Sequence, residues 1–327
     1  MSQKLLELTG AAPAAPAAMP AKPVSARLGK VVALGSLFSL LWSSAFVAGK
    51  IALQSAPPFA LLAMRFGLAS LCLVGLVVAR SRRRRVPLRL EHLGILALAG
   101  ILNNTVYLGL GWIALQTVPA GFATLLTSVY PLITSALAIP LLRERATWSR
   151  FAGLALGAAG VSIVVHHHVS AAGVAPLGVG LLLLGVLALA CGTILLKRTA
   201  AHQDFLLVTT LQTVAGAVSL AVLAGATGEF HAIHWQASLV GALLYLAGGV
   251  SIGAALMWLW LLRNGVASNA SAFHFLNPLF GTLIAFAVLG EPVNASDLLG
   301  GLPIAAGILL MTFAPGERDT SDVQRRE

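Results

Sequence analysis

Polar side chains with the chemistry to bind a small molecule lie inside long apolar stretches of this 327-residue chain. Arg65 stands about eight residues into one stretch, and an arginine at that depth normally faces protein or a water-filled cavity. No carboxylate lies at a similar depth in any stretch. The partner of Arg65 is therefore a backbone carbonyl, a polar side chain or an anionic group of a ligand. Two roles stay open for it, pinning its helix to a neighbour or contacting a substrate.

Other polar or aromatic residues interrupt the apolar stretches, some of them at helical spacing: Trp42, Ser43, Asn103, Tyr107, Thr127, Tyr130, His274 and Asn277. Asn104 and Tyr107 share a helix face, because residues at i and i+3 are neighbours on a helix. Such side chains either hydrogen-bond adjacent helices or line a cavity. His274 is the only histidine deep in a stretch, so it is a structural group, a substrate ligand or a proton relay.

An internal repeat positions these residues. The segment Gly121–Glu144 matches Ser268–Glu291 without a gap, at an offset of 147 residues that relates Pro131 to Pro278. Each proline removes one helical hydrogen bond, to the carbonyl of Thr127 or of His274, so both are predicted to act as hinges. The same offset relates Lys50 to Lys197 and Arg65 to Gln212. The two lysines either snorkel to the membrane interface or act, together with Arg65 and Gln212, as gating residues.

The composition of the chain indicates a protein embedded in a lipid bilayer. Hydrophobic residues make up 58% and charged residues 10% of the sequence, which is more apolar surface than a soluble protein of this length buries. We predict an all-α integral membrane protein with ten transmembrane helices, at about 31–53, 57–79, 93–115, 118–141, 149–166, 174–196, 205–225, 238–262, 266–289 and 295–314. Five spans per repeat, an odd number, give inverted-topology repeats around a central cavity.

The basic residues set the orientation. The chain carries a net charge of +10, and all of its 21 lysines and arginines except Lys50 and Arg65 fall on one side of the predicted spans. The positive-inside rule places that side, with both termini, in the cytoplasm. The charge is thus a topology signal, and no nucleic-acid partner is predicted. Residues 1–30 are expected to be a disordered cytoplasmic tail, and residues 315–327 a second cytoplasmic tail.

Few motifs of catalysis are present. The chain has no nucleophile elbow, phosphate loop or HExxH sequence, so we predict no enzyme, no cofactor and no metal site. Cys72 and Cys191 have no metal-ligand spacing. The histidines at 166–168 are expected in a solvated outer loop. Glu144 and Glu291 are interpreted as interfacial caps or as conformational latches.

Five motifs in this order resemble the drug/metabolite transporter superfamily, in particular its ten-span members with two EamA domains. They are LWSSAFVAGKIAL at 41–53, ALLAMRFGLAS at 60–70, LNNTVYLGLGWIAL at 102–115, PAGFATLLTSVYPLITSAL at 119–137 and LNPLFGTLIAFAVLGEP at 276–292. The resemblance implies EamA repeats at 31–166 and 174–314, and a substrate cavity lined by the eight polar or aromatic residues named above. The sixth span departs from the pattern, with Leu189 and Ala190 at the positions equivalent to Trp42 and Ser43.

The expected function is secondary transport, with export of a small neutral, zwitterionic or anionic metabolite such as an amino acid by alternating access. The expected partners are a small-molecule substrate, the lipid bilayer of the inner membrane and protons, in a monomer or a homodimer. The alternatives are import of the same substrates or a membrane-embedded lipid-modifying enzyme. The sequence specifies neither the substrate nor the direction of transport.

Overall fold

The computed structural model describes residues 24–81, 92–143, 147–170, 173–199, 204–257, 260 and 276–312. These residues form helices and no strands: α1 Val24–Ala52, α2 Pro58–Ser81, α3 Leu93–Leu115, α4 Ala120–Leu142, α5 Trp148–Ser170, α6 Pro176–Thr199, α7 Phe205–Ala226, α8 Ala237–Met257, α9 Asn277–Leu289 and α10 Ala295–Thr312. The predicted all-α class is confirmed. Residues 1–23 and 313–327 lie outside the described residues, whereas residues 24–30, predicted to be disordered, form the first turns of α1.

Eight of these helices, α1 to α8, are long and apolar enough to cross a bilayer. α9 is an apolar helix of 13 residues, and the apolar part of α10, Ala295–Leu310, is also shorter than the others. Large apolar side chains point out of the bundle, including Leu71, Leu177 and Leu302, which are 74%, 73% and 69% exposed. An apolar outer surface of this kind is solvated by lipid. The chain is therefore a multi-pass membrane protein.

The helix boundaries repeat at the offset predicted from the sequence. α4 consists of Ala120–Thr127 and Tyr130–Leu142, and the second part begins and ends 147 positions before α9. Pro131 and Pro278 are each the second residue of these equivalent helices, where a missing N–H costs least. Both helices end in a left-handed residue, Arg143 with φ 56° and Gly290 with φ 68°.

α3 and α8 each contain a π-helical segment in the membrane interior. The segments are Ile101–Val106 and Tyr245–Ala254, so the equivalent of the first one, at 248–253, falls inside the second. A π-helical turn adds a residue to the helix and rotates the side chains that follow, which makes it frequent at functional sites. These turns carry Asn103, Asn104 and Ser251.

Helices at equivalent positions pack against each other, α2 on α7 and α5 on α10. In the second pair, a Cβ added to Gly160 would lie 2.4 Å from the carbonyl oxygen of Gly300, and one added to Gly307 would lie 2.5 Å from that of Gly153. Gly307 is the repeat equivalent of Gly160, and Gly300 is that of Gly153, so the offset of 147 converts each of these contacts into the other. α5 and α10 therefore run antiparallel and are related by an approximate two-fold axis.

Because α5 and α10 lie so close together, a single methyl group added between them should lower the stability of the protein. The Cβ of Gly160→Ala would overlap backbone atoms of α10, which have no rotamer to move to, and overpacking of this kind costs about 1–3 kcal/mol. We expect a lower thermal unfolding midpoint for the purified protein in detergent. The matched control is Gly75→Ala in α2, where a Cβ meets nothing within 4 Å. Equal midpoints for the two variants would contradict this packing.

One expectation about the loops is wrong. The histidines at 166–168 do not lie in a solvated loop, because α5 continues to Ser170 and includes them in its last turns. His168 is buried. The reason is a carboxylate on another helix, described below, that hydrogen-bonds the imidazole and offsets its burial.

Candidate functional site

A cavity of about 350 Å³ lies in the middle of the bundle, between helices of both halves of the chain. Its volume is within the range of small-molecule sites. α1 to α4 and α6 to α8 line it. Six of the polar or aromatic residues predicted to bind substrate or to carry a gating role are in its wall: Trp42, Arg65, Asn103, Tyr107, Tyr130 and Gln212.

Arg65 occupies the wall of this cavity and is 4% exposed. Its Nε donates to Ser251 Oγ over 2.9 Å. Its guanidinium carbon lies 5.1 Å from the ring centroid of Phe66 and 5.6 Å from that of Trp112, within cation–π range. Its Nη1 is buried and has no hydrogen-bond partner among the described residues. The site thus presents a positive charge with one donor unused.

Gln212, at the equivalent position of the second half, is held in a neutral cluster of amides. Asn103 Nδ2 donates to Gln212 Oε1 over 3.0 Å, and Asn104 Nδ2 donates to the backbone oxygen of Gln212 over 3.0 Å. These bonds tie the π-helical turn of α3 to α7. The cavity is therefore electrostatically asymmetric, with a charge on one wall and amides on the other.

Hydroxyl and aromatic groups complete the site. Tyr130 shares a hydrogen bond of 3.0 Å with Thr193, which links α4 to α6. The ring of Trp42 lies 5.9 Å from that of Phe38 on the preceding turn of α1. Tyr107 also lines the cavity and is buried. These contacts hold the aromatic rings in fixed positions around the cavity.

Three predicted binding residues lie beside the cavity and do not line it. Asn277 Oδ1 accepts a hydrogen bond of 2.6 Å from Ser39, and its backbone oxygen accepts one of 3.3 Å from Ser43. Thr127 donates to Thr124 O over 3.0 Å. The polar atoms of Ser43, Thr127 and Asn277 are therefore used in bonds between and within helices. His274 lies outside the described residues.

Lys50 and Glu291 form a cluster at the far face of the bundle, which we define as the end where α1 stops at Ala52 and α2 starts at Pro58. Glu291 accepts hydrogen bonds from the backbone N–H groups of Ala120 and Gly121, at 2.8 and 2.9 Å, and so caps α4. Lys50 Nζ lies 3.6 Å from Glu291 Oε1 and donates to Val118 O over 2.6 Å. We call these five residues the far-face latch.

At the other end of the bundle, Lys197 is exposed in the last turn of α6. Its neighbour Arg198 donates to Leu141 O, which connects α6 to the end of α4. Lys197 is thus at the end of the bundle opposite the far face and does not line the cavity. Glu144, the equivalent of Glu291, lies outside the described residues.

A buried cluster of a histidine and an aspartate lies away from the cavity and was not predicted from the sequence. His168 Nε2 and Asp297 Oδ1 are 2.7 Å apart, with side chains that are 4% and 8% exposed. The imidazole stacks on Phe122 with 4.1 Å between ring centroids. Asp297 Oδ2 also accepts from Asn294 N over 3.1 Å. This cluster joins α5 to the start of α10 beside the first turn of α4.

Several residues of the cavity wall were also missed, notably Phe66, Trp112, Thr209 and Thr213. Thr209 and Thr213 stand four residues apart, with Gln212 on the same side of the helix. That spacing predicts one polar face of an otherwise apolar span, and it was a usable signal. Phe66 and Trp112 had no such signal, because an aromatic residue in an apolar span is as common on its lipid side.

Comparison with known proteins places this architecture. Residues 29–166 and 176–313 each match the EamA-like transporter family. The uncharacterized transporter YvbV of Bacillus subtilis is 30% identical over 83% of this chain and 88% of its own length. The uncharacterized inner membrane transporter YedA of Escherichia coli K12 is 27% identical over 85% of this chain and 90% of its own.

A solved crystal structure with 21% sequence identity superposes with a TM-score of 0.62 and covers 91% of this chain and 99% of the other. At that identity the likeness concerns the fold alone. The two family matches cover most of the chain, one in each half. The chain belongs to the EamA-like transporter family.

Proposed function

We propose that this protein is a secondary transporter that exports a small neutral, zwitterionic or anionic metabolite, such as an amino acid, across the inner membrane. The observation that carries the proposal is the buried guanidinium of Arg65 in the wall of a cavity shared by both halves. A charge at that depth is costly, and in membrane proteins it marks a substrate or ion pathway. Binding near the middle of the membrane, between two repeats, is the plan of many secondary carriers.

The proposed topology is ten spans in two inverted repeats with both termini in the cytoplasm. Three observations support it: the equivalent bounds of Tyr130–Leu142 and Asn277–Leu289, the equivalent π-helical turns, and the antiparallel contacts between α5 and α10. The two-fold relation extends to the cavity. Arg65 contacts Ser251, and their equivalents Gln212 and Asn104 also contact each other.

The proposed mechanism is alternating access, with the far face closed in this conformation. The cavity wall includes Leu196, in the last turn of α6, and Phe205, in the first turn of α7, at the end of the bundle opposite the far face. The far-face latch lies at the other end and connects the loop after α9 to α1 and α4. Opening this face requires Glu291 to leave the N-terminus of α4, about the hinges at Pro131 and Pro278.

The substrate preference follows from the charges of the wall. Among the described lining residues Arg65 is the only charged one. A cationic substrate would therefore bring a second positive charge into a low-dielectric site without a counter-ion. Neutral, zwitterionic and anionic compounds avoid this cost. Cations that outcompete neutral and acidic amino acids in proteoliposomes would overturn the preference.

The function is tested by counterflow in proteoliposomes loaded with candidate substrates. We expect a radiolabelled substrate to accumulate against the unlabelled one, because a carrier exchanges the two without an external energy source. Trp42→Ala removes a ring that faces the cavity and should reduce the rate roughly 10-fold or more, by the loss of apolar contact. Trp148→Ala is the matched control, since Trp148 is 88% exposed at the start of α5.

Other outcomes identify other functions. Release of a modified lipid without counterflow would indicate a lipid-modifying enzyme, and equal rates for the Trp42 and Trp148 variants would remove the cavity from the mechanism. Uptake of the substrate into right-side-out membrane vesicles would indicate import. Proton coupling through His274 predicts that His274→Ala abolishes transport driven by a pH gradient and preserves exchange.

A further inference from the structure

The unused donor on Arg65 points to the chemistry of the ligand. Nη1 is buried without a partner among the described residues, whereas Nε is bound to Ser251 Oγ. A buried guanidinium N–H that is left unpaired is expensive, and such groups in native proteins have a reason to be retained. A bound acceptor supplies that reason. A carboxylate fits best, because its two oxygens match the fork geometry of a guanidinium.

Ser251 adds a second donor at the same place. Its Oγ accepts from Arg65, which leaves its own hydroxyl hydrogen free of any protein acceptor in the described part of the chain. The two donors lie on different helices, α2 and α8. A carboxylate held by both would therefore join the two halves of the protein through the ligand.

The equivalent position in the other half cannot play this part. Gln212 is neutral, and its side-chain and backbone oxygens already accept hydrogen bonds from Asn103 and Asn104. One wall thus offers a charge with free donors, and another offers neutral amides whose NH2 groups already donate to protein oxygens. The cavity has a single anion-binding end.

A substrate ammonium group finds no comparable site. The described lining residues include no carboxylate. Asn103 Oδ1 is a buried acceptor without a partner, but it lies against α6, where a Cβ on Gly192 would be only 2.0 Å from it. Asn103 Oδ1 is thus directed at the backbone of α6. Most of the remaining wall is aliphatic or aromatic, as at Phe38, Phe46 and Leu108.

We propose that the cavity binds a monocarboxylate with an apolar body, its carboxylate on Arg65 and Ser251 and its body against the aromatic wall. This inference rests on the proposed role of the cavity as the substrate site, and it narrows the substrate class to organic acids. Amino acids are bound more weakly than the acids that lack their ammonium group.

The test compares compounds of one shape and different charge. Binding to the purified protein in nanodiscs is measured by calorimetry for 3-phenylpropionate, phenylalanine, 3-phenylpropan-1-ol and 2-phenylethylamine, with hexanoate as an aliphatic acid. We expect 3-phenylpropionate to bind roughly 10- to 100-fold more tightly than the alcohol, the range of a charged hydrogen bond. Phenylalanine should bind between these two, and the amine should not bind.

Two variants separate a ligand contact from a structural role. Arg65→Gln should make 3-phenylpropionate bind no better than the alcohol, whereas Ser251→Ala keeps the charge and should lose only a few-fold. Arg80→Gln is the matched control on the same helix, because Arg80 pairs with Asp204 at 3.0 Å and does not line the cavity. A full preference for the carboxylate in a folded Arg65→Gln protein would overturn the proposal.

The proposal also fails if the alcohol or the amine binds as tightly as 3-phenylpropionate, or if neither carboxylate binds. Its failure is distinct from failure of the carrier function. Charge-dependent binding without counterflow would uphold the ligand site and contradict transport. Counterflow of amines or alcohols that is insensitive to Arg65→Gln would uphold transport and contradict the ligand site.

Discussion

Replacing Glu291 with alanine is expected to open the far face of the bundle. The substitution leaves the N–H groups of Ala120 and Gly121 without their acceptor and Lys50 without its counter-charge. Loss of a helix cap costs about 0.5–2 kcal/mol, which shifts a two-state equilibrium roughly 2- to 30-fold. The conformation with the far face closed should be depopulated by that factor.

The measurement is the rate at which a membrane-impermeant thiol reagent labels a cysteine at Ala285, which is buried beside Gly121. Cys72 and Cys191 are replaced by alanine in this background. Labelling should accelerate in Glu291→Ala. The control is Glu229→Ala, because Glu229 binds the N–H of Ala60 over 2.9 Å at the start of α2 and does not touch α4. Equal labelling rates in Glu291→Ala and Glu229→Ala would show that the far-face latch does not keep the far face closed.

Replacing Asp297 with alanine should produce the largest loss of stability. It leaves the buried imidazole of His168 without the carboxylate 2.7 Å away. A buried polar group that loses its hydrogen-bond partner costs about 1–3 kcal/mol, whereas replacement of both partners by apolar groups can be nearly neutral. Thermal unfolding in detergent should therefore show a strong loss for Asp297→Ala, and most of it should be recovered in His168→Phe with Asp297→Leu.

The recovery is the informative part of this prediction. His168→Phe keeps an aromatic ring stacked on Phe122. In the unmodified protein the centroids of the His168 and Phe122 rings are 4.1 Å apart. Asp297→Asn keeps an acceptor oxygen for the imidazole and should lose less than alanine does. Additive losses in the double variant would mean that the two residues do not act as a pair.

The sequence predicted those features of the fold that depend only on how deep a residue lies in the membrane. Hydropathy located the helices, and the offset of 147 residues found in the sequence also relates the bounds of Tyr130–Leu142 to those of Asn277–Leu289. Depth also singled out Arg65. A charge in the middle of an apolar run must have a polar surrounding, whatever the fold.

The parts that failed depend on lateral packing. His168 and Asp297 are 129 residues apart, and Ser39 and Asn277 are 238 apart. Hydropathy requires that each such polar group have a partner, but it does not specify which helix supplies it. Ser43 and Asn277 therefore suited a cavity and a helix contact equally well from the sequence. The same limit applied to Glu291, whose side chain caps α4 although it lies in the loop after α9.

The most direct test of alternating access is a disulfide across the far face. A Cβ added to Gly121 lies 3.4 Å from that of Ala285, close to the Cβ separation of about 3.5–4.5 Å in disulfides. Gly121→Cys with Ala285→Cys, without Cys72 and Cys191, should form a bond between α4 and α9 on oxidation. We predict that oxidised proteoliposomes lose counterflow of 3-phenylpropionate and that a reductant restores it. Undiminished counterflow by fully cross-linked protein would contradict alternating access through this face.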